Sequence, residues 1–239
     1  MNKNVLITGG SQGLGADIAQ HLARDGYRIF LNFSRSVDKA EAVARDIVSL
    51  GGSVEIIQAD VSDPAAVDDM FARLALRDGV DVLVNNARVD PHCRPPEMNA
   101  SDWFDLMIGV NLKGAYLCSL AALGQMMHKG WGRIVNISSV WAYRAADQAM
   151  MEYAMSKAGV HSLTRSLAEI AGPAGVTVNT VAPGLIITEG LARRWTREKF
   201  NDVCAAIPVR RGARTEEIVD AVKFIIANGY LNGETLNIN

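Results

Sequence analysis

The sequence is poor in the features that would place it in several large protein classes. Its 239 residues include only three cysteines, Cys93, Cys118 and Cys204, with no CxxC pair among them. That number and spacing argue against a disulfide framework or a zinc site and leave buried or free thiols in a reducing compartment. Charge of one sign is also scarce, because 24 Lys and Arg against 26 Asp and Glu leave a net −2. A whole-molecule field that would gather nucleic acid or an anionic membrane surface is therefore missing. No apolar run reaches the roughly 18 residues of a membrane span, and the opening MNKNVLITGG lacks the apolar core of a signal peptide. A cytoplasmic location is expected, with no membrane partner, no nucleic acid and no metal. Asn32, Asn99 and Asn136 each begin an N-x-[ST] triplet, but two of these fall in segments that read as buried strands. Internal repeats, low-complexity tracts and linkers are missing too, so residues 1–239 read as a single domain.

What is present is a core. With 49% hydrophobic and 21% charged residues, the chain has the composition of a globular α/β domain of ordinary size. Short β-branched runs return at Val5–Thr8, Arg28–Asn32, Val54–Ala59, Val80–Asn85, Arg133–Ile137 and Thr177–Ala182, and a last one lies near Glu234–Ile238. Between them lie stretches with helical periodicity: Gly13–Asp25, Val37–Leu50, Pro64–Arg77, Ser101–Lys129, Met151–Gly172 and Thr215–Ala227. Ser36, Asp63, Ser101 and Thr215 read as their N-caps. Because several strands are apolar on successive residues, helices must cover both faces of the sheet. The expected fold is a Rossmann-type, doubly wound and mostly parallel sheet of about seven strands. Arg88–Asn99 and Leu185–Pro208 break the rhythm after the fourth and sixth strands, where such sheets bind ligands, and 185–208 reads as a substrate lid.

The turn Thr8-Gly9-Gly10-Ser11-Gln12-Gly13-Leu14-Gly15 joins a strand to a helix. Small residues there let backbone N–H groups and the positive helix end approach a diphosphate. Its spacing is G-x-x-x-G-x-G, not the common G-x-G-x-x-G, and a tight connection without a ligand is the competing reading. An NAD site places an acid about 20 residues on, at the ribose 2′-hydroxyl. This chain instead has Ser34, Arg35 and Ser36, a set able to hold a 2′-phosphate, so NADP(H) is expected over NAD(H). A solvated arginine at a helix start is the alternative.

Tyr153 and Lys157 stand four apart in a helical segment and so share a face. A phenol titrating near 10 is a poor acid at neutral pH, but a neighbouring ammonium would favour its phenolate and bring it into a useful range. Tyr/Lys pairs also occur in any long helix as packing and surface residues. What favours chemistry is Ser138-Ser139 at the end of the fifth strand, where a hydroxyl would face the same crevice as the glycine turn, although serines also simply end strands.

Read in order, these segments resemble the short-chain dehydrogenase/reductase family across nearly the whole chain. TGGSQGLG is similar to the family's TGxxxGxG, Asp60-Val61 to its adenine-contacting Asp, Asn85-Asn86-Ala87 to its NNAG, and Asn111 to its catalytic asparagine. Ser139 matches the active-site serine, Tyr153-Ala154-Met155-Ser156-Lys157 the YxxxK pair, and Pro183-Gly184 with Ile186 and Thr188 the PGxxxT segment beside the nicotinamide. The resemblance implies that Tyr153 delivers a proton to a carbonyl oxygen, Ser139 orients that oxygen, Lys157 holds the nicotinamide ribose and tunes Tyr153, and Asn111 supports a water relay. Gly9, Ser11, Gln12, Gly13, Leu14, Gly15, Asp60, Val61, Asn86, Ala87, Pro183, Gly184, Ile186 and Thr188 would line the cofactor. NFSRSVDKAEAVA and IPVRRGARTEEI bring the chain nearest to the 3-oxoacyl reductase branch, which implies a ketone substrate, free or on an acyl carrier, and a homodimer or homotetramer.

Departures from the pattern mark the substrate side. Arg88 replaces the last glycine of NNAG, and the Ser139-to-Tyr153 spacing is one residue longer than usual. The extra length falls in Val140–Ala145, so Arg88, Ser138, Trp141, Tyr143 and Arg144 are candidate substrate contacts. Gln12 stands where NADP-using members often carry a base, and Arg193, Arg194 and Arg197 could form a basic patch that docks an anionic partner. A small-alcohol or sugar dehydrogenase, and a cofactor-binding regulator without catalysis, are the competing functions.

Overall fold

The computed structural model describes residues 3–239, apart from the side chains of Glu189 and Arg193. Seven strands form one sheet: β1 (Asn4–Ile7), β2 (Arg28–Phe33), β3 (Ser53–Gln58), β4 (Val82–Asn85), β5 (Gly132–Ile137), β6 (Val176–Pro183) and β7 (Thr235–Ile238). Their order is β3-β2-β1-β4-β5-β6-β7, and every pairing is parallel. The expected doubly wound sheet is thus present with no antiparallel member.

The strand residues alternate between two cores. Val5, Ile7, Ile29, Leu31, Val82, Val84, Val135 and Val181 point to one face, where α1 (Gly13–Arg24), α2 (Val37–Ser49) and α9 (Thr215–Ala227) cover them. Leu6, Phe30, Leu83, Ile134, Val176 and Val178 point to the other, beneath α3 (Pro64–Ala75), α5 (Gly114–Lys129) and α6 (Met151–Ala171). Each fully buried Leu, Ile or Phe contributes about 1.5–3 kcal/mol, so both layers are needed to stabilise the sheet. Cys118 belongs to the second layer, and burial pushes its thiol up to about 12, an inert packing group.

The single helix expected over Ser101–Lys129 is divided into α4 (Ala100–Ile108), a π-helical turn at Gly109–Lys113 and α5. A Cβ on Gly114 would lie 2.7 Å from Val61 Cγ2, so the helix passes the end of β3 at a distance only glycine permits. The inserted turn also carries Asn111 inside, where it is 2% exposed. The whole stretch Ala100–Lys129 is long and apolar enough to cross a membrane by composition, a property not evident from apolar runs alone; its contacts with β4, β5, α3 and α6 make it a core helix.

Two expected N-caps move. Asn99, not Ser101, caps α4 by accepting from Asp102 N, and Arg214 precedes α9, with Glu217 Oε2 accepting from the Arg214 N–H at 2.8 Å. Asp63 caps α3 as read, while Ser36 stands at the start of α2 without a side-chain capping bond. The irregular 185–208 stretch holds α7 (Glu189–Arg194) and α8 (Arg197–Ala206).

A buried polar chain crosses the middle of the sheet. Asn85 Nδ2 donates to Ser119 Oγ (2.9 Å) and Asn136 Oδ1 (2.8 Å), Asn136 Nδ2 donates to Thr164 Oγ1 (2.8 Å), and that hydroxyl meets Thr180 Oγ1 at 2.7 Å. It ties β4, β5, β6, α5 and α6 together. Asn136→Ala should cost about 2–4 kcal/mol, because it strands two buried partners and leaves a void. Urea unfolding should show the lower midpoint with an unchanged slope, and a shift below about 1 kcal/mol would show the chain to be dispensable.

Candidate functional site

The C-terminal ends of β1 and β4 meet in a clamp. Gly9 adopts φ +62°, and a Cβ there would sit 2.8 Å from Ala87 Cα, so the turn after β1 lies directly on the backbone after β4. Thr8 Oγ1 accepts from the N–H groups of Asn86 (3.0 Å) and Ala87 (3.1 Å). In return Asn86 Nδ2 donates to the carbonyls of Thr8 (2.9 Å) and Gly9 (3.0 Å). The buried Asn32 closes the other side: its Oδ1 accepts from Gly9 N, and its Nδ2 donates to the carbonyls of Ile57 and Ala59. Asn86 and Ala87, expected as cofactor contacts, therefore shape the turn.

That turn fits a dinucleotide. Gly13, at φ +55°, faces open space, and Gln12, at the N-cap of α1, makes no side-chain capping bond. The first N–H groups of a twelve-residue helix, at Gly13, Leu14 and Gly15, are thus left for an anion such as a diphosphate. Half-buried Ser11 and exposed Gln12 lie beside them. Asp60 Oδ1 accepts from Ser62 N and Ser62 Oγ, which fixes the loop after β3, and Val61 is buried against Gly114. At the outer end Ser34 and Arg35 are exposed and Ser36 half-buried; Lys39, which the sequence reading missed, donates to Gln12 Oε1 at 2.6 Å. Its only sequence signal is the four-residue helical spacing from Arg35.

On the other side of the crevice, Pro183 ends β6, Gly184 packs on Asn239, Ile186 bridges to Ala213, and Thr188 caps α7 through Leu191 N. A hollow of about 350 Å³ lies between α7 and α8, lined by Ile187, Leu191, Trp195 and Phe200. A larger one of about 470 Å³, between α2 and the edge strand β3, gathers none of the candidate groups.

Tyr153 and Lys157 share the inner face of α6, both buried. Tyr153 packs with Trp103, Met107 and Met150, flanked by Val89 and Trp141. Burial raises its phenol above the ordinary value; the Arg88 guanidinium and the Ser139 hydroxyl oppose that shift, and Asp90 adds to it. The Lys157 ammonium lies 5.7 Å from the tyrosine ring centroid and donates to Ile137 O at 2.8 Å. Burial, with Arg88 nearby, lowers it to about 7. Of the charges acting on the phenol, Arg88 is the leading one that favours phenolate, a role the sequence reading did not give it. Asn111 turns inward from the π-helical turn: its Oδ1 accepts from Val89 N at 2.7 Å and its Nδ2 donates to Ser156 Oγ at 3.1 Å.

The substrate-side residues separate. Ser139 is buried at the start of a 3₁₀ turn over Val140–Ala142 and accepts from Trp141 N. Ser138 is spent elsewhere: its Oγ donates to Lys157 O at 3.1 Å and meets His161 Nε2 at 2.7 Å, so it is a support for α6 rather than a substrate contact. Tyr143 stacks on His161, with ring centroids 4.8 Å apart, and Arg144 is exposed. Arg194, expected in a docking patch, is exposed but pairs with Asp90; Arg197 is exposed, and the Arg193 side chain lies outside the described residues. Asp90 and His161 were not singled out from the sequence.

The depressed Lys157 has a measurable consequence. Between about pH 7 and its unfolded value of 10.5, the unfolded chain binds more protons than the folded one, so this group's penalty is complete below pH 7 and fades as pH rises. Compared with Lys157→Met, the wild-type protein should gain on the order of 3 kcal/mol from pH 7 to pH 10. Denaturant titrations of both proteins across that window check it, and a pH-independent difference would show that the lysine is not desolvated.

With this geometry in place, the comparisons are specific. The sequence model of the short chain dehydrogenase family matches residues 3–199. The chain is 35% identical to the 3-oxoacyl-[acyl-carrier-protein] reductase FabG of Staphylococcus aureus, over 100% of this chain and 97% of that protein. The solved short-chain dehydrogenase/reductase of Serratia marcescens superposes with a TM-score of 0.89 at 34% identity, covering 99% of this chain and 96% of that one. ElxO with NADP bound superposes at 0.90 and 29% identity, covering 100% and 97%.

Proposed function

The chain belongs to the short-chain dehydrogenase/reductase family and is an NAD(P)-dependent oxidoreductase, and from that premise we propose that it reduces a ketone to a secondary alcohol with NADPH in the cytoplasm. The observation that carries this reading is the convergence of Ser139, Tyr153 and Lys157, with the Ser139 hydroxyl acting on the phenol and the Lys157 ammonium 5.7 Å from its ring centroid. A bound nicotinamide cofactor supplies the hydride; the remaining work belongs to the chain.

Ser139 presents its hydroxyl to the carbonyl oxygen and polarises it. Tyr153 donates the phenolic proton to the same oxygen as negative charge develops there. Its apolar surroundings hold the phenol protonated until that moment, which suits a donor. Lys157 is anchored at Ile137 O and lies close enough to stabilise the phenolate left behind. Asn111 holds the post-β4 loop through Val89 N and so fixes where the carbonyl lies relative to Tyr153. The segment 185–208 covers the crevice as a lid, and its hollow between α7 and α8 suits the apolar part of an acyl or polyketide-like substrate. The 3-oxoacyl reductase relatives favour such a carbonyl, free or carrier-bound, over a small alcohol or sugar. Exposed Phe224 and Tyr230, at 51% and 99% accessibility, support assembly as a homodimer or homotetramer.

Tyr153→Phe should retain NADPH affinity and lose turnover by about 10³-fold or more, read as steady-state rates beside fluorescence titration of bound NADPH. Retained turnover would remove the tyrosine from the chemistry. For cofactor choice, Arg35 and Lys39 together favour a 2′-phosphate. Arg35→Ala and Lys39→Ala should each weaken NADPH by about 10-fold while changing NADH little. Equal losses for the two cofactors would return the preference to NAD(H).

A further inference from the structure

Arg88 is a cation without an adequate partner at the reacting end of the crevice. Its backbone is placed by the clamp, one residue after Ala87, and its guanidinium bears on both Tyr153 and Lys157. Among the described residues its ionic partner is Asp90, at 3.5 Å, and no N–H of its guanidinium makes a hydrogen bond. A charge-assisted pair closes to about 2.7–2.9 Å, so this contact is loose.

Asp90 is loose toward Arg88 because it is occupied elsewhere. Its Oδ2 accepts from Arg194 Nη1 at 2.6 Å and its Oδ1 from His92 N at 3.0 Å, while Arg194 Nε donates to Gly190 O. Burial would raise the Asp90 carboxyl, but His92 N–H and the two guanidiniums hold it below its ordinary value, so it stays charged. One carboxylate shared by two guanidiniums leaves one positive charge, and the less engaged of the two is Arg88, with a side chain 46% exposed. Next to it are its chain neighbour Val89 and Tyr153, whose phenol it acts on, both part of an apolar cluster that strengthens any ion pair formed against it.

We propose that Arg88 anchors an anionic group of the substrate, so that the site selects a short oxo acid whose carboxylate pairs with Arg88 while its carbonyl meets Tyr153, in preference to the corresponding neutral ester. This rests on the ketone-reductase reading and narrows its substrate class. The planar guanidinium offers a carboxylate two parallel N–H donors, which neither Lys157 nor Ser139 can provide. Asp90 keeps Arg194, and with it α7, against the post-β4 loop while the substrate takes the open face of Arg88.

The test compares acetoacetate with methyl acetoacetate as substrates for wild-type, Arg88→Gly and Arg88→Lys proteins with NADPH. The wild type should favour the acid by about 10- to 100-fold in kcat/KM, mainly through KM and less so at high salt. Arg88→Gly should bring the acid-to-ester ratio close to one, and Arg88→Lys should restore part of it. Equal use of acid and ester by the wild type overturns the proposal, as does a ratio unchanged in Arg88→Gly; weakened NADPH binding alongside that unchanged ratio would make Arg88 a cofactor contact. A second measurement separates this inference from the reading beneath it: calorimetric titration of acetoacetate into Tyr153→Phe protein loaded with NADP⁺, with and without Arg88→Gly. Binding that needs Arg88, with turnover absent in the wild type, keeps the anchor and sinks the reductase; binding indifferent to Arg88, or no binding, overturns the anchor.

Discussion

The close approach of Gly9 to Ala87 is the constraint on which the rest depends. A parallel sheet wound in both directions from β1 leaves a crevice where β1 and β4 end, and the width of that crevice is set by what lies between the two chains. Here nothing lies between them: a Cβ on Gly9 would intrude on Ala87 Cα, and Thr8 and Asn86 exchange hydrogen bonds across the gap. Because Asn32 holds the same turn from the β2 side, three strand ends are tied to one another. The start of α1 is therefore preset toward an anion, and the residue after Ala87 is preset toward α6. Cofactor turn and reacting end are two consequences of one contact.

Burial then gives the reacting groups their character. Lys157 is among the largest fully buried side chains, yet it has a single carbonyl for company, so desolvation rather than a partner charge dominates its titration. The same desolvation keeps Tyr153 protonated. In the proposed reduction, an acid that gives up its proton only when an oxyanion forms nearby is better served by a dry site than by a permanent neighbouring charge, and an ammonium 5.7 Å from its ring centroid would stabilise what is left after transfer. Beneath both runs the Asn85–Asn136–Thr164–Thr180 chain, which holds α6 to the sheet without placing another charge in the core.

The sheet was legible because its signal is repeated: seven runs of β-branched residues, each bounded by turn formers, can be wrong at their ends and still define one architecture. All seven strands fall within about two residues of their expected bounds. Tyr153, Lys157, Ser139 and Asn111 were legible as an ordered set of motifs. What could not be read was direction. Ser138 and Ser139 are neighbours just past the end of β5, but one turns to Lys157 O and His161 on α6 and the other toward Tyr153, a turn earlier on the same helix. The π-helical turn was hidden for a similar reason, since it lies beside the close passage of Gly114 over Val61, which joins residues far apart in the chain. Lys39, Asp90 and His161 gain their significance only from partners 27, 104 and 23 residues away, respectively.

Net charge, too, is a poor guide to what this molecule binds. A total of −2 excludes a global field, but it does not describe the crevice. At one end Arg35 and Lys39 stand exposed around Gln12; at the other Arg88 and Arg194 divide a single carboxylate. The crevice thus has cations at both ends and an apolar cluster at Tyr153. Fields from such local clusters act over about a Debye length, roughly 8 Å at physiological salt, so each end attracts its own anion and neither depends on the sum. The proposed cofactor 2′-phosphate and oxo-acid carboxylate, one at each end, complement this distribution.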